Sequence, residues 1–400
     1  MKEMQNNILL CYNFSMKIIT KLLLIFSFFG IILPSYAIEE VLLDISGESS
    51  ESRASVSEVA QKSLKEKIDE IKAKEVYDTS KKHYLLEDIL TKKFEKSPID
   101  TFHLFAYYRG NLQMNFYPTD NDLEYEYNSI DAGFNGKFKD GKSFYEAKFR
   151  FAPQDRYTFL QYMPSNLYIG TRAIPNHTIV FGNVRTPNGY EGSTSSELLP
   201  FVARSQISRT FGNTRKLGMR IRGNYSLLEY DLGGFSSDTY FRKFMPGAEF
   251  AGLMSLKPLG KTNGKYGTLK IGGGITAGEN NSSYLVSTAY ASYDYKKFFA
   301  NFEYANADGY NGSRGISRNK AEGFYTTVGY KVTPKLQILS RYDQFTPNKN
   351  NSSDIRREYS AGVNYFLKGQ ALKLMLNYVF CQNDCFEDSH RIIIGTQIVL

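Results

Sequence analysis

From residue 101 to the last residue, apolar and polar positions alternate with a period of two. In KLGMRIRGNY, Leu217, Met219 and Ile221 share one face, while Gly218, Arg220, Arg222 and Asn224 share the other. In ALKLMLNYVF, Leu372, Leu374, Leu376 and Tyr378 oppose Lys373, Met375 and Asn377; in RIIIGTQIVL, Ile392, Ile394, Ile398 and Leu400 fall together. Such dyads fit strands with hydrocarbon on one side and water on the other, and only a closed barrel satisfies every backbone group in lipid. The pattern predicts strands near 102–115, 127–138, 142–151, 164–172, 177–186, 215–224, 226–236 and 247–256, then near 266–277, 283–294, 297–308, 320–332, 335–345, 357–367, 370–380 and 390–400. The expected fold is therefore all-β: a transmembrane antiparallel β-barrel of about 16 strands. A soluble β-sandwich also alternates, but it does not explain apolar residues opposite charged ones in so many successive strands.

Turn chemistry supports the same phase. Short links at Lys139–Lys142, Ile174–Asn176, around Tyr225, at Thr333–Pro334 and at Lys368–Gly369 alternate with longer polar stretches from Ala307 and Phe345. Barrels of this class carry short periplasmic turns and longer external loops, so both chain ends are expected in the periplasm. The longest connection, 187–214, is then the third external loop. A loop of this length is usually functional. It is expected to fold inward, with Leu198 to Val202 packed on the wall, and to narrow a lumen that sixteen strands otherwise leave open.

Before residue 101 the period changes. The stretch Met16 to Ala37 has Lys17 and Lys21, an apolar run from Leu22 to Leu33, and a small-residue end, which reads as a secretory signal peptide within 1–37. Residues 38–100 read as a periplasmic helical or linker segment, with helices through SEVAQKSLKEKIDEIKAKEVY and HYLLEDILTKKF and a possible short coiled coil. That segment holds 11 basic and 15 acidic residues, whereas 101–400 holds 35 and 25, so the boundary near Pro98 is also a change of charge. Elsewhere no run of about twenty apolar residues exists, which excludes a helical membrane protein. Composition sharpens this reading: 30 Tyr and 29 Phe beside 32 Gly and no Trp suit short aromatic-rich strands.

Candidate chemistry is sparse. Cys381 and Cys385, three residues apart in an exported chain, are a possible disulfide; two Cys without nearby His supply too few ligands for a metal, and no cofactor motif is present. None of the four His lies near a nucleophile motif, so an enzyme is not expected. Basic residues do gather near the long loop: Arg185, Arg204, Arg209, Arg215, Lys216, Arg220 and Arg222, with Arg341 and Lys373 on polar strand faces. They are the candidate pore-lining, anion-interacting set, because fixed Arg and Lys favour anions and Arg forks fit oxyanions. Asp131, Glu146, Glu303 and Asp343 share the lumen face by parity and temper that bias.

The segment GNVRTPNGYEGSTSSELLPFVARSQISRTFG from Gly182, with KLGMRIRG after it, resembles the phosphate-selective porin O and P family, as do YRGNLQMNF, GFYTTVGYKVTPKLQILSRYDQF and LKLMLNYVF in order. The resemblance implies a sixteen-stranded homotrimeric channel with an inward third loop and anion preference. Two features depart from the family: Asp131, Gly133 and Asn135 stand where many members carry paired Arg, and the chain ends in Leu400 rather than Phe. The expected function is thus outer-membrane diffusion of small anionic or neutral solutes with a weak anion preference. Lipid is the surrounding partner, and nucleic acid is excluded for an exported chain. The alternative is a non-channel barrel acting as an adhesin or structural protein, which conductance distinguishes.

Overall fold

The computed structural model describes residues 84–118, 121–151, 164–238, 243–313, 315–351, 354–384 and 387–400. The expected signal peptide and the first expected helix lie outside the described residues. A short strand β1 (Thr91–Lys93) precedes β2 (Ile99–Phe116), β3 (Asn121–Phe138), β4 (Ser143–Phe151), β5 (Pro164–Thr171), β6 (His177–Arg185), β7 (Arg215–Asn224), β8 (Leu228–Ser236) and β9 (Ala248–Leu256). Then follow β10 (Thr268–Glu279), β11 (Ser283–Tyr295), β12 (Phe298–Gly312), β13 (Gly315–Lys331), β14 (Leu336–Thr346), β15 (Arg356–Lys368), β16 (Leu372–Asn383) and β17 (Ser389–Val399). From β2 to β17 each strand pairs antiparallel with its chain neighbour, and β17 returns to β2 with Val399 opposite Tyr107 and His390 opposite Phe116. Sixteen strands thus close a ring with no free edge, the arrangement hydrocarbon requires.

The two faces separate as the dyads predict. Along β16, Leu374 and Tyr378 are exposed outward, whereas Lys373, Met375, Asn377 and Val379 are buried inside. Outward rings form a continuous ladder over β12 to β17, from Phe302 through Phe324, Tyr342, Tyr359 and Phe380 to His390, with centroids 5.0 to 6.2 Å apart. Such a row of tilted and stacked rings suits the interfacial aromatic girdle of a lipid-facing barrel.

Connections follow the expected phase, with three departures. At the rim bearing the start of β2 and the end of β17, the turn 139–142 is closed by Asp140, which accepts from the Lys142 and Ser143 amides at 2.9 and 2.8 Å, while Gly141 takes φ +68. On that rim, however, β9 and β10 are joined by the long stretch 257–267. On the opposite rim, β10–β11 turns in three residues around Asn281 at φ 58, and the polar stretch from Ala307 is mostly ladder, with β12 and β13 paired up to Gly312 and Gly315. Polar composition there marks exposure to water rather than loss of sheet, because backbone pairing continues above the apolar belt whatever the side chains are.

The N-terminal segment also differs from expectation. HYLLEDILTKKF makes one helical turn, Glu87–Leu90, and then joins the sheet as β1, pairing with Thr101–His103 of β2. β17 and the following Leu400 pair with β2 only from Ala106 onward, so β1 fills the row left open before it. The unpaired β2 edge there offers ladder bonds that override a marginal helix.

Inside the barrel, fully buried Lys216 of β7 is paired with Glu249 of β9, which also accepts from the Tyr284 hydroxyl at 2.6 Å. Removing one charge from such a pair strands the other in a poorly solvated site. The variant Lys216→Met is expected to lose about 3 kcal/mol of stability, read as an earlier urea midpoint in detergent. The double variant Lys216→Met/Glu249→Leu should recover most of it; equal loss in both would show that the isolated carboxylate is not the cause.

Candidate functional site: the inward loop and the charged wall

The connection between β6 and β7 folds into the lumen. It begins at Gly189, whose φ of +75 and closeness to Glu303 Oε1, 2.6 Å from where a Cβ would stand, require glycine. A helical turn follows (Tyr190–Ser193), then a 3-10 turn (Ser196–Leu198) and a six-residue helix (Gln206–Phe211). Two apolar patches seat it. Ile207 and Phe211 pack among Val286, Ala305, Ala307, Ala321, Tyr325 and Phe345, and Val202 packs on Met375, Val379, Cys381 and Ile393. Each such buried side chain contributes about 1.5–3 kcal/mol, which holds the expected Leu198 to Val202 segment against the wall.

Loop backbone taken from water must find partners, and side chains of the wall supply them. Glu303 of β12 accepts the Tyr190 and Glu191 amides at 2.7 and 3.1 Å, so a carboxylate caps the first helical turn. Asp343 of β14 accepts the Gln206 amide at 2.7 Å, capping the second helix beside Ser205. Asn377 accepts the Val202 amide at 2.9 Å, and Asn364 donates to the Pro200 carbonyl at 2.8 Å. Arg109 of β2 donates to the carbonyls of Ser196, Phe201 and Val202. Lys373, fully buried, donates to the carbonyls of Glu197 and Leu199 at 3.1 and 3.0 Å, and Gln397 also donates to that of Glu197. Arg341 binds the Ala203 carbonyl at 3.1 Å and Glu191 Oε1 at 2.6 Å while lying over the Phe201 and Tyr325 rings. Burial alone would raise the Glu191 carboxyl, but Arg341, Arg204 and the Ser205 donors hold it below its usual range, so it stays ionised at neutral pH.

The predicted basic residues therefore divide. Arg341 and Lys373, expected to extend a basic wall, are loop anchors. Arg204 donates to the carbonyls of Glu191 and Thr194, and Arg185 to the Gly192 carbonyl and Asn213, so both stitch the loop to itself and to β6. Lys216 is sealed against Glu249. Arg220 grips Asp231 with two nitrogens and the Arg185 carbonyl with a third. Buried cations need acceptors, and the parity of a strand does not reveal which ones are already engaged. Arg209, Arg215 and Arg222 remain more open: Arg209 reaches Glu358 at 2.9 Å, Arg215 donates to neutral Asn166 at 2.9 Å, and Arg222 is exposed and forms no ion pair with a described residue.

Charge counting missed Lys148 and Arg150 of β4. Both bind Asp131, at 3.3 and 2.8 Å, and Lys148 also reaches Glu197 at 4.0 Å, so the residue expected to make the second strand less basic is offset by a pair of cations. Other lumen carboxylates face two cations each. Glu229 faces Lys257 and Lys270, Glu358 faces Arg209 and Arg391, and Asp231, held by Arg220, lies opposite Arg222 in the β7–β8 register. A sequence signal existed: Lys148 and Arg150 sit two apart on the inward face of β4. Cys381 is a buried free thiol that accepts from Arg391 Nε at 3.2 Å, and Cys385 lies outside the described residues, so the expected disulfide is not visible.

Residues 260–387 match the family model described as phosphate-selective porin O and P, so the chain resembles that family across β10 to β16, a stretch beyond the loop that carried the resemblance in sequence. No curated protein sequence matches the chain. The fold is similar to OmpF of Salmonella typhi solved with daunomycin (TM-score 0.57, 12% identity, 77% of this chain and 100% of that one). It is also similar to an anion-selective porin from Comamonas acidovorans (0.55, 10%, 75% and 99%) and to a loop L8 deletion mutant of OmpT, an outer membrane protein of Vibrio cholerae (0.53, 12%, 75% and 99%). At these identities the likeness is one of fold.

Replacing Lys373 by Met leaves the Leu199 carbonyl without its donor, at about 1–3 kcal/mol, while Gln397 still donates to the Glu197 carbonyl. The expected result is a loosened loop, seen as faster protease cleavage within 187–214 and noisier single-channel current, with the barrel itself intact by heat-modifiability on gels. Cleavage as slow as in the unaltered protein would show that Lys373 does not anchor the loop.

Proposed function

We propose that this chain is an outer-membrane porin through which small hydrophilic solutes diffuse passively, without chemistry, with a weak preference for anions. The observation that carries the reading is a closed sixteen-stranded barrel whose long loop is bonded into its lumen and whose lumen carboxylates Glu229 and Glu358 each face two cations. A loop fixed in this way narrows an otherwise wide aqueous channel. Surplus fixed positive charge at the narrowing then lowers the electrostatic cost of an anion relative to a cation.

The surplus is moderate. Glu146 accepts from neutral Asn166 and Tyr168, and Glu303 and Asp343 are bound by amides and a tyrosine, so these carboxylates oppose the cations. This favours a general anion-leaning pore over tight phosphate capture. The rim bearing the chain ends adds to the bias. Its seven turns hold nine basic residues (Lys139, Lys142, Arg172, Lys257, Lys261, Lys265, Lys296, Lys297 and Lys335) and one acid, Asp140. A collar of that sign concentrates anions at the mouth, within about 8 Å at physiological salt. The reading places this rim in the periplasm, as the expected strand phase does, and the chain in a homotrimer.

Purified protein in a planar bilayer under a KCl gradient is expected to conduct and to give a reversal potential on the chloride side. The variants Arg150→Gln and Arg222→Gln should each lower the chloride-to-potassium permeability ratio by about twofold. A barrel that inserts but passes no current overturns the porin reading in favour of an adhesin or structural barrel, and a potassium-side reversal potential overturns the anion bias.

A further inference from the structure

The segment ahead of β1 enters the barrel. The Leu85 amide donates to the Val399 carbonyl at 3.0 Å, which fastens the segment to the end of β17. Leu85 and Tyr84 pack against Tyr107, Ala371 and Val399. The Tyr84 ring meets His103 edge-on at 4.8 Å and lies 6.2 Å from Phe105. His103, Phe105, Tyr107 and Arg109 stand at every second position of β2 and so share its inward face, about 6.8 Å apart along the strand. Tyr84 therefore leans on the lumen wall at His103 and Phe105, on the same strand face as Arg109, the residue that grips the inward loop.

The segment is held at its other end too. Thr91 donates to the Glu87 carbonyl at 2.6 Å and meets His103 Nδ1 at 2.9 Å, which ties the helical turn and β1 to the same strand. Between arm and loop remains a cleft of about 10 Å³, room for one water. Tyr84, Tyr107, Glu146, Lys148 and Glu197 line it, so the arm from one rim and the loop from the other nearly meet.

We propose that residues 84–93 form a second, built-in constriction of the channel, with Tyr84 as its size-determining side chain. The inference rests on the porin reading. The arm fills part of the lumen below Arg109 and so leaves less of its cross-section to solutes. A bulky ring held on two sides excludes by size.

The test compares full-length protein with Tyr84→Ala, Tyr84→Phe and, in a Cys381→Ser/Cys385→Ser background, Tyr84→Cys before and after a bulky methanethiosulfonate reagent. Single-channel conductance and liposome swelling with sugars of increasing size are the readouts. Tyr84→Ala should raise conductance about twofold and admit larger sugars, Tyr84→Phe should match the unaltered protein, and labelling of Tyr84→Cys should cut its conductance by about half. If the alanine variant fails to assemble, the cysteine pair still decides. A conducting unaltered protein with variants indistinguishable from it overturns this inference alone, whereas an unaltered protein that conducts nothing overturns the porin reading itself.

Discussion

Everything inside this barrel depends on one requirement: a long stretch of irregular backbone withdrawn from bulk water must have its amides and carbonyls bonded. Ladder pairing solves that problem for the wall, because closure of β17 onto β2 leaves no edge. The inward loop has no ladder. Its carbonyls are taken by Arg109, Arg341, Lys373, Gln397 and Asn364, and its amides by Glu303, Asp343 and Asn377. Each group left unbonded would cost about 1–3 kcal/mol, comparable to what each buried apolar side chain of the loop contributes. The anchors therefore decide whether the loop stays in the lumen at all.

That requirement changes what a basic residue in the lumen means. Arg341 and Lys373 look like solute contacts when only their strand face is known, yet their donors are engaged by loop carbonyls and by Glu191. On the proposed reading, selectivity falls instead to cations that share a carboxylate with another cation. A lone ion pair presents little net field, whereas two cations on one carboxylate leave a unit of positive charge, as Arg209 and Arg391 do at Glu358. The pairing that fixes the geometry and the surplus that biases passage thus come from the same side chains in different stoichiometry.

The fold was largely legible in the sequence, and the reason is physical. Lipid on one side and water on the other impose the period of two on every strand, so spans such as 215–224 and 283–294 could be placed to within a residue or two of β7 and β11. What escaped depended on pairing rather than periodicity. Thr91–Lys93 became strand because β2 had an open row beside it, and the stretch after Ala307 became hairpin because a ladder needs no apolar face. Neither fact is written in the local pattern.

The site was legible as a region but not as a set of roles. The 187–214 loop and the basic residues near it were visible because length and charge are local properties. Which cation meets which acceptor is a matter of register between strands far apart in sequence: Arg341 reaches Glu191 across 150 residues, and Arg209 reaches Glu358 across 149. Arg109 was invisible as an anchor for the same reason, since its three carbonyl partners lie 87 to 93 residues ahead. Strand parity tells which side chains face the water-filled interior, but the loop that occupies that interior decides which of them still face water. In a barrel that folds part of itself into its own lumen, charge composition predicts the sign of the pore only after the charges that hold the loop have been subtracted.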